Sequence, residues 1–160
     1  MDVRRIIRAP KRITSAGKWS AGTMPRTAFP LSKSGSKAYR LGNRRWRVVT
    51  FDALGVSCRL LVNYHQMLLQ YQAMLGVEID GDMKVLASLE HHPTHGAWHA
   101  HLTCGPIVAA PSGIRRGPWV RLMNAKGRRY RFPAPQSDEA AFARAISFFR
   151  LGTRDEGGFF

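Results

Sequence analysis

Hydrophobic positions recur along this chain at two spacings, and each spacing predicts a different kind of element. In Trp46-Arg47-Val48-Val49-Thr50-Phe51 the residues are β-branched or aromatic, bounded by Gly42-Asn43 and Asp52, which predicts a first strand beginning near Arg44. Over residues 56–75 the apolar side chains Leu61, Tyr64, Leu68, Tyr71 and Leu75 fall three and four apart, broadened by Leu60, Met67 and Met74. That period predicts an amphipathic helix stopped at Gly76. After Gly81-Asp82, spacing of two returns. Val85, Ala87 and Leu89 alternate with Ser88, Glu90 and His92 in a second strand. Pro93-Thr94-His95-Gly96 makes a short connection, and Trp98 to Cys104 reads as a third strand stopped by Gly105-Pro106.

Beyond that point the pattern is more broken. Residues 107–118, rich in Pro and Gly, predict a long loop. Trp119 to Met123 and Arg128 to Phe132 predict two short strands around an Asn124-Ala125-Lys126-Gly127 turn. A last helix is expected over 138–151, capped by Ser137 and closed by Gly152. Residues 1–43 have no hydrophobic period and predict a disordered basic arm. Trp19, Phe29 and Tyr39 within it are spaced aromatics, able to stack on bases or to dock on the domain. The expected architecture is one α+β domain over 44–152, an antiparallel sheet flanked by helices, with a tail over 153–160.

Charge adds a partner to this outline. The net charge is +15 over 160 residues, which points to a polyanion, most often nucleic acid. It is unevenly spread. Residues 1–50 carry thirteen Lys/Arg against one acid, residues 51–104 two against five, and residues 105–160 ten against four. A slightly acidic middle between basic flanks suits cation binding at the centre and phosphate binding beside it. Arg115, Arg116, Arg121, Arg128, Arg129 and Arg131 are the expected nucleic-acid contacts. Cys58 and Cys104 lack metal-site or disulfide spacing and are expected as free buried thiols. No apolar run approaches the ~18 residues of a membrane span, and no apolar segment follows the basic start as in a secretory signal. The Arg-rich, acid-poor start is similar to a mitochondrial transit peptide, but a DNA-binding arm of a cytoplasmic protein explains it equally well.

The chemistry concentrates where the charge turns acidic. Five of the six histidines lie between His91 and His101. If residues 93–96 connect two antiparallel strands, His92 faces Ala97, Glu90 faces His99, and Ser88 faces His101. Directly opposed residues have Cβ atoms about 4.5–5.5 Å apart, and a slip of one residue would turn a core face into the site. Glu90, His99 and His101 therefore converge. Two imidazoles and a carboxylate suit Mn²⁺, Mg²⁺ or Zn²⁺, with positions left for substrate oxygens. His91 falls on the core parity. His92 and His95 lie near the turn, with His92 within reach of the metal. A His-rich tract can also be polar surface alone.

His99-Ala100-His101 resembles the His-hydrophobic-His motif of HUH endonucleases, which include rolling-circle replication initiators, relaxases and single-tyrosine transposases. The expected order of strand, helix, strand ending in Glu90, short turn and histidine strand is similar to that of the initiators, over roughly residues 44–152. The resemblance implies an HUH/Rep-like, ferredoxin-like core in which Glu90, His99 and His101 hold a divalent cation. It also implies a tyrosine nucleophile that attacks a phosphodiester in single-stranded or hairpin DNA. The last helix, where initiators carry that tyrosine, has Phe148 and Phe149 instead. Tyr130 is the tyrosine that follows the motif, and Tyr39, Tyr64 and Tyr71 precede it, as in relaxases. The expected function is therefore a plasmid- or phage-type replication-initiation or mobilisation protein that binds DNA, with nicking left open. The alternative is a non-catalytic nucleic-acid-binding protein whose histidines are structural.

Overall fold

The computed structural model of the protein describes residues 1–31, 41–95, 97–111, 118–122 and 132–152. Its centre is an antiparallel meander: β3 (Arg45–Ala53), β4 (Val56–His65), β5 (Gln70–Ile79), β6 (Asp82–His92), β7 (Ala97–Leu102) and β8 (Trp119–Arg121). Each strand pairs with the next, and β1 (Arg12–Ser15) adds to the outer edge of β3, with β2 (Ser20–Ala21) beside it. Among the described residues the α-helices are α1 (Val3–Arg8) and α2 (Asp138–Phe149). The molecule is thus α+β with an antiparallel sheet, as the pattern of strands predicts.

Two of the turns follow from local chemistry. Leu54-Gly55 and Asp80-Gly81 each take positive φ at both positions and join strands paired on either side, the geometry that matches strand twist in two-residue hairpins. The third corrects an expectation. Residues 56–75 are not a helix but the β4–β5 hairpin, so the strand–helix–strand order expected at the start of the domain is absent. Strand alternation was present in the same residues: Cys58, Leu60, Val62, Tyr64 and then Tyr71, Ala73, Leu75, Val77 lie on one face, all buried. Helical spacing arose because the hairpin bend shifts this parity from even to odd numbers. The bend, His65 to Gln70, has no Gly, Pro, Asn or Asp to announce it. Leu69 itself adopts the left-handed conformation, with φ of 49°. Met67 and Leu68, read as part of a buried stripe, are exposed on this bend. Gly76, read as a helix stop, sits within β5 at a bulge. A Cβ there would meet the Met83 side chain, so the glycine lets Met83 and Phe29 lie close over the strand in their present positions.

The sheet has two unlike faces. The first carries the larger core, where Val49, Phe51, Leu60, Val62, Tyr71, Leu75, Leu89 and Trp98 pack beneath Ile6 of α1 and Phe142 and Phe149 of α2. Helix α2 begins as expected, the Ser137 Oγ accepting from Ala140 N at 3.2 Å, and ends with Arg150 in the left-handed conformation. Tyr64 donates to Asp138 Oδ1 at 2.8 Å, and Arg45 clasps the same carboxylate with two donors. Together they lock the first turn of α2 to the sheet.

On the second face Trp46, Leu61, Met74, Met83 and Val85 form a smaller core under Met24, Phe29 and Leu41. The bulge sends Val85 to this face, away from Ala87 and Leu89, with which it was expected to align. Residues 1–31 are likewise not a disordered arm. They contribute α1, β1 and β2, and Phe29 is buried at 1% exposure. Trp19 meets Tyr64 edge-on at 5.6 Å rather than standing free. Its apolar residues divide between the two faces, Val3, Ile6 and Ala9 joining the first core and Met24 and Phe29 the second, so no single period runs through it. Cys58 is buried as expected, whereas Cys104, just past the end of β7, is exposed.

Candidate metal centre

The polar half of the second face is a row of side chains running across the sheet. Backbone register sets Trp46 opposite Asn63, Asn63 opposite Gln72, Gln72 opposite Glu90, and Glu90 opposite His99. Since opposed residues point to the same face, five strands contribute to one line. The expected pairings of the histidine hairpin are those observed: His92 with Ala97, Glu90 with His99, Ser88 with His101.

Glu90 is the centre of the row and is buried at 1% exposure. Its two oxygens are differently engaged. Oε1 accepts from Gln72 Nε2 at 3.0 Å and from Ser88 Oγ at 2.8 Å. Oε2 faces the imidazoles, with His92 Nε2 at 3.0 Å and His99 Nε2 at 3.6 Å. His101 stands edge-on to His99, ring centroids 5.3 Å apart. Ligand atoms of Glu90, His99 and His101 all lie within 4.8 Å of one another, so these three could hold a metal ion. The donor set fits a divalent cation. A carboxylate taken out of water is costly without a compensating charge, and borderline metals accept imidazole nitrogen and carboxylate oxygen together. A cation bound there would supply Lewis acidity toward a phosphoryl oxygen.

The rest of the row holds Glu90 in this orientation. Gln72 Oε1 accepts from Asn63 Nδ2 at 3.4 Å, and Asn63 Oδ1 from Arg44 Nη1 at 3.1 Å. Arg44 also reaches Gln70 Oε1. Hydrogen-bonded partners behind a metal ligand fix its geometry. Asn63, Gln72 and Arg44 were not anticipated from the sequence. Asn63 and Gln72 do interrupt apolar runs at alternate positions, a signal that becomes readable once 56–79 is seen as a hairpin.

The other histidines separate as their parity implies. His91 faces the first core, tilted on Trp98 with centroids 5.2 Å apart, and its Nδ1 pairs with Leu69 O at 2.8 Å. The His95 side chain lies outside the described positions. Tyr64 and Tyr71 are on the face opposite Glu90. Burial and the Asp138 carboxylate raise the Tyr64 phenol to about 12. Burial raises that of Tyr71, whose hydroxyl donates to Ala141 O at 3.1 Å. Both are packing residues. Tyr39, Tyr130, Arg115, Arg116, Arg128, Arg129 and Arg131 lie outside the described residues. So does the Arg121 side chain, although the Arg121 backbone pairs with His99.

Comparison with known proteins found no family model, no curated protein and no solved structure that matches this chain. Among the described residues no helix is long and apolar enough to cross a membrane.

Proposed function

We propose that the protein binds DNA, single-stranded or in a hairpin, and holds a divalent cation between Glu90, His99 and His101 to engage a phosphodiester. The observation that carries this is the buried carboxylate with one oxygen tied back and the other turned to imidazoles, on a chain of net charge +15. The narrower role, replication initiation or mobilisation by an HUH-like endonuclease in the cytoplasm, rests on the Glu90 strand and His99-Ala100-His101. The hairpin at 56–79 removes the helix from the likeness. If the protein nicks DNA, Tyr130 is the first candidate nucleophile and Tyr39 the second, since Tyr64 and Tyr71 face the opposite core.

A second reading is supported by the row itself. Its amides, hydroxyl and imidazoles pair with one another, so the histidines can serve structure alone in a nucleic-acid-binding protein. The two part in one experiment. The protein is incubated with labelled single-stranded and hairpin oligonucleotides and Mn²⁺ at several salt concentrations. Retention that falls steeply with salt, strengthens with Mn²⁺ and loses its Mn²⁺ dependence in His99→Ala/His101→Ala supports the metal reading. A covalent adduct that disappears in Tyr130→Phe adds cleavage. Binding indifferent to Mn²⁺ and to both histidines leaves the structural role, and a flat salt dependence rejects nucleic acid as the partner.

A further inference from the structure

The pair of strands that carries the centre is symmetric about Glu90 and His99 in a way that a three-residue site does not use. On the polar face, His101 stands one pleat to one side, opposite Ser88, and His92 one pleat to the other, opposite Ala97. His92 is not turned to solvent. Its Nε2 lies 3.0 Å from Glu90 Oε2, closer than His99 Nε2 at 3.6 Å. The His92 and His99 rings are tilted by only 32°, with centroids 5.6 Å apart.

Those separations are informative. Ligand atoms on a tetrahedral ion with bonds of about 2.0–2.1 Å stand roughly 3.3 Å apart. Adjacent positions of an octahedral ion with bonds of about 2.0–2.1 Å are about 3.0 Å apart. The distances from Oε2 to the two imidazoles bracket these values. Each of the two nitrogens therefore stands at a ligand-like separation from Oε2, and the His92 ring lies beside that of His99.

Exposure divides the four: Glu90 and His99 are closed off, with side chains 1% and 6% exposed, whereas His92, at 23%, and His101 are only partly buried. His92 is also the last residue of β6, ahead of the Pro93–His95 turn. Glu90, His99 and His101 are fixed by neighbouring strands on both sides in the sheet, whereas His92 lies at the edge of the hairpin, opposite Ala97, where β7 only begins. We propose that His92 is a fourth ligand of the centre, and that it is the ligand an incoming phosphate oxygen displaces. This rests on the metal centre proposed above. It adds that the site is closed by three imidazoles and a carboxylate at rest and opens on the His92 side. An anion then enters at the end of the hairpin, beside the turn, rather than through the row of Gln72 and Asn63.

X-ray absorption at the zinc edge tests this with the full chain and Zn²⁺ alone, because imidazole scattering reports how many histidines are bound. The expected count is three in the wild type and in His91→Ala, and two in His92→Ala and in His92→Gln. Circular dichroism checks that each variant keeps its fold. Inorganic phosphate added to the wild type should lower the count from three to two, and should leave His92→Gln at two. A wild type with two imidazoles that His92→Ala does not change overturns the inference. If His99→Ala abolishes Zn²⁺ uptake in that case, the three-residue centre stands. Three imidazoles persisting under saturating phosphate overturn the exchange. A wild type that takes up no Zn²⁺ overturns both this inference and the centre beneath it.

Discussion

The two faces of the sheet are made by the same strands and serve different ends. On the first face, the principal polar groups fasten a helix: Tyr64 and Arg45 on Asp138, and the Tyr71 hydroxyl on Ala141 O. On the second face, polar groups face one another. Asn63, Gln72, Ser88, Glu90 and His99 are all buried, yet they lie on strands whose opposite sides are mainly apolar. Strand alternation makes this possible, since one residue step separates core from chemistry. Buried polar groups are tolerated only when paired, and the row satisfies that condition across four strands, β4 to β7. The face sealed by α1 and α2 should therefore govern stability, and the row should govern ligand binding with little effect on folding.

That contrast is tested most strongly at the first face. Phe149, the last residue of α2, is fully buried, and Phe149→Ala should cost about 3–5 kcal/mol in urea unfolding. The molecules that remain folded should still bind metal. Loss of metal binding without loss of stability would mean that the faces are not separable in this way.

The converse experiment addresses the second face. Saturating Zn²⁺ or Mn²⁺, at about 100 times its Kd, should stabilise the wild type by about 2.7 kcal/mol, read as a rise in Tm. His99→Ala/His101→Ala should lose the whole of this increment, and chelation should reverse it in the wild type. A double variant stabilised as much as the wild type would remove the centre.

Gln72→Leu sharpens the comparison at one hydrogen bond. It removes the donor to Glu90 Oε1 but leaves Ser88 in place. Metal affinity by calorimetry should fall about 10–100-fold, as when an orienting partner of a ligand is lost. An unchanged affinity would show that Ser88 alone orients the carboxylate.

The smallest effect is expected from pH at the first face. Arg45 above all, with Tyr64, holds the Asp138 carboxyl below its ordinary value of 3.8. A lowered folded value contributes stability that is present above the unfolded value and is lost as pH falls through the folded one. Asp138→Asn should therefore be less stable than the wild type at neutral pH, by about 1 kcal/mol, with the gap closing below about pH 4. A gap that persists into acid would assign the loss to packing rather than charge.

How far the sequence could be read differs between the two hairpins. In β6–β7 one face of each strand is apolar and the other polar, so alternation shows directly and the register follows from the turn. In β4–β5 both faces are partly buried, because Leu61 and Met74 pack under Phe29 while Leu60 and Leu75 pack under the helices. Two buried faces mask the alternation beneath a nearly continuous apolar run, and a bend built by Leu69 at positive φ gives no breaker residue.

The sequence by itself determined the Ser137-capped helix, the strands around the histidines, and the convergence of Glu90, His99 and His101. In each of these, local spacing and a one-sided environment carry the information within a few residues. Tertiary structure alone decided that 56–79 is a hairpin, that residues 1–31 pack on both faces, and that Val85 crosses to the second core. It also decided that Asn63 and Gln72 stand behind Glu90, and that His92 lies against its free oxygen. Those depend on which strands become neighbours, and neighbours distant in the chain leave no period in it.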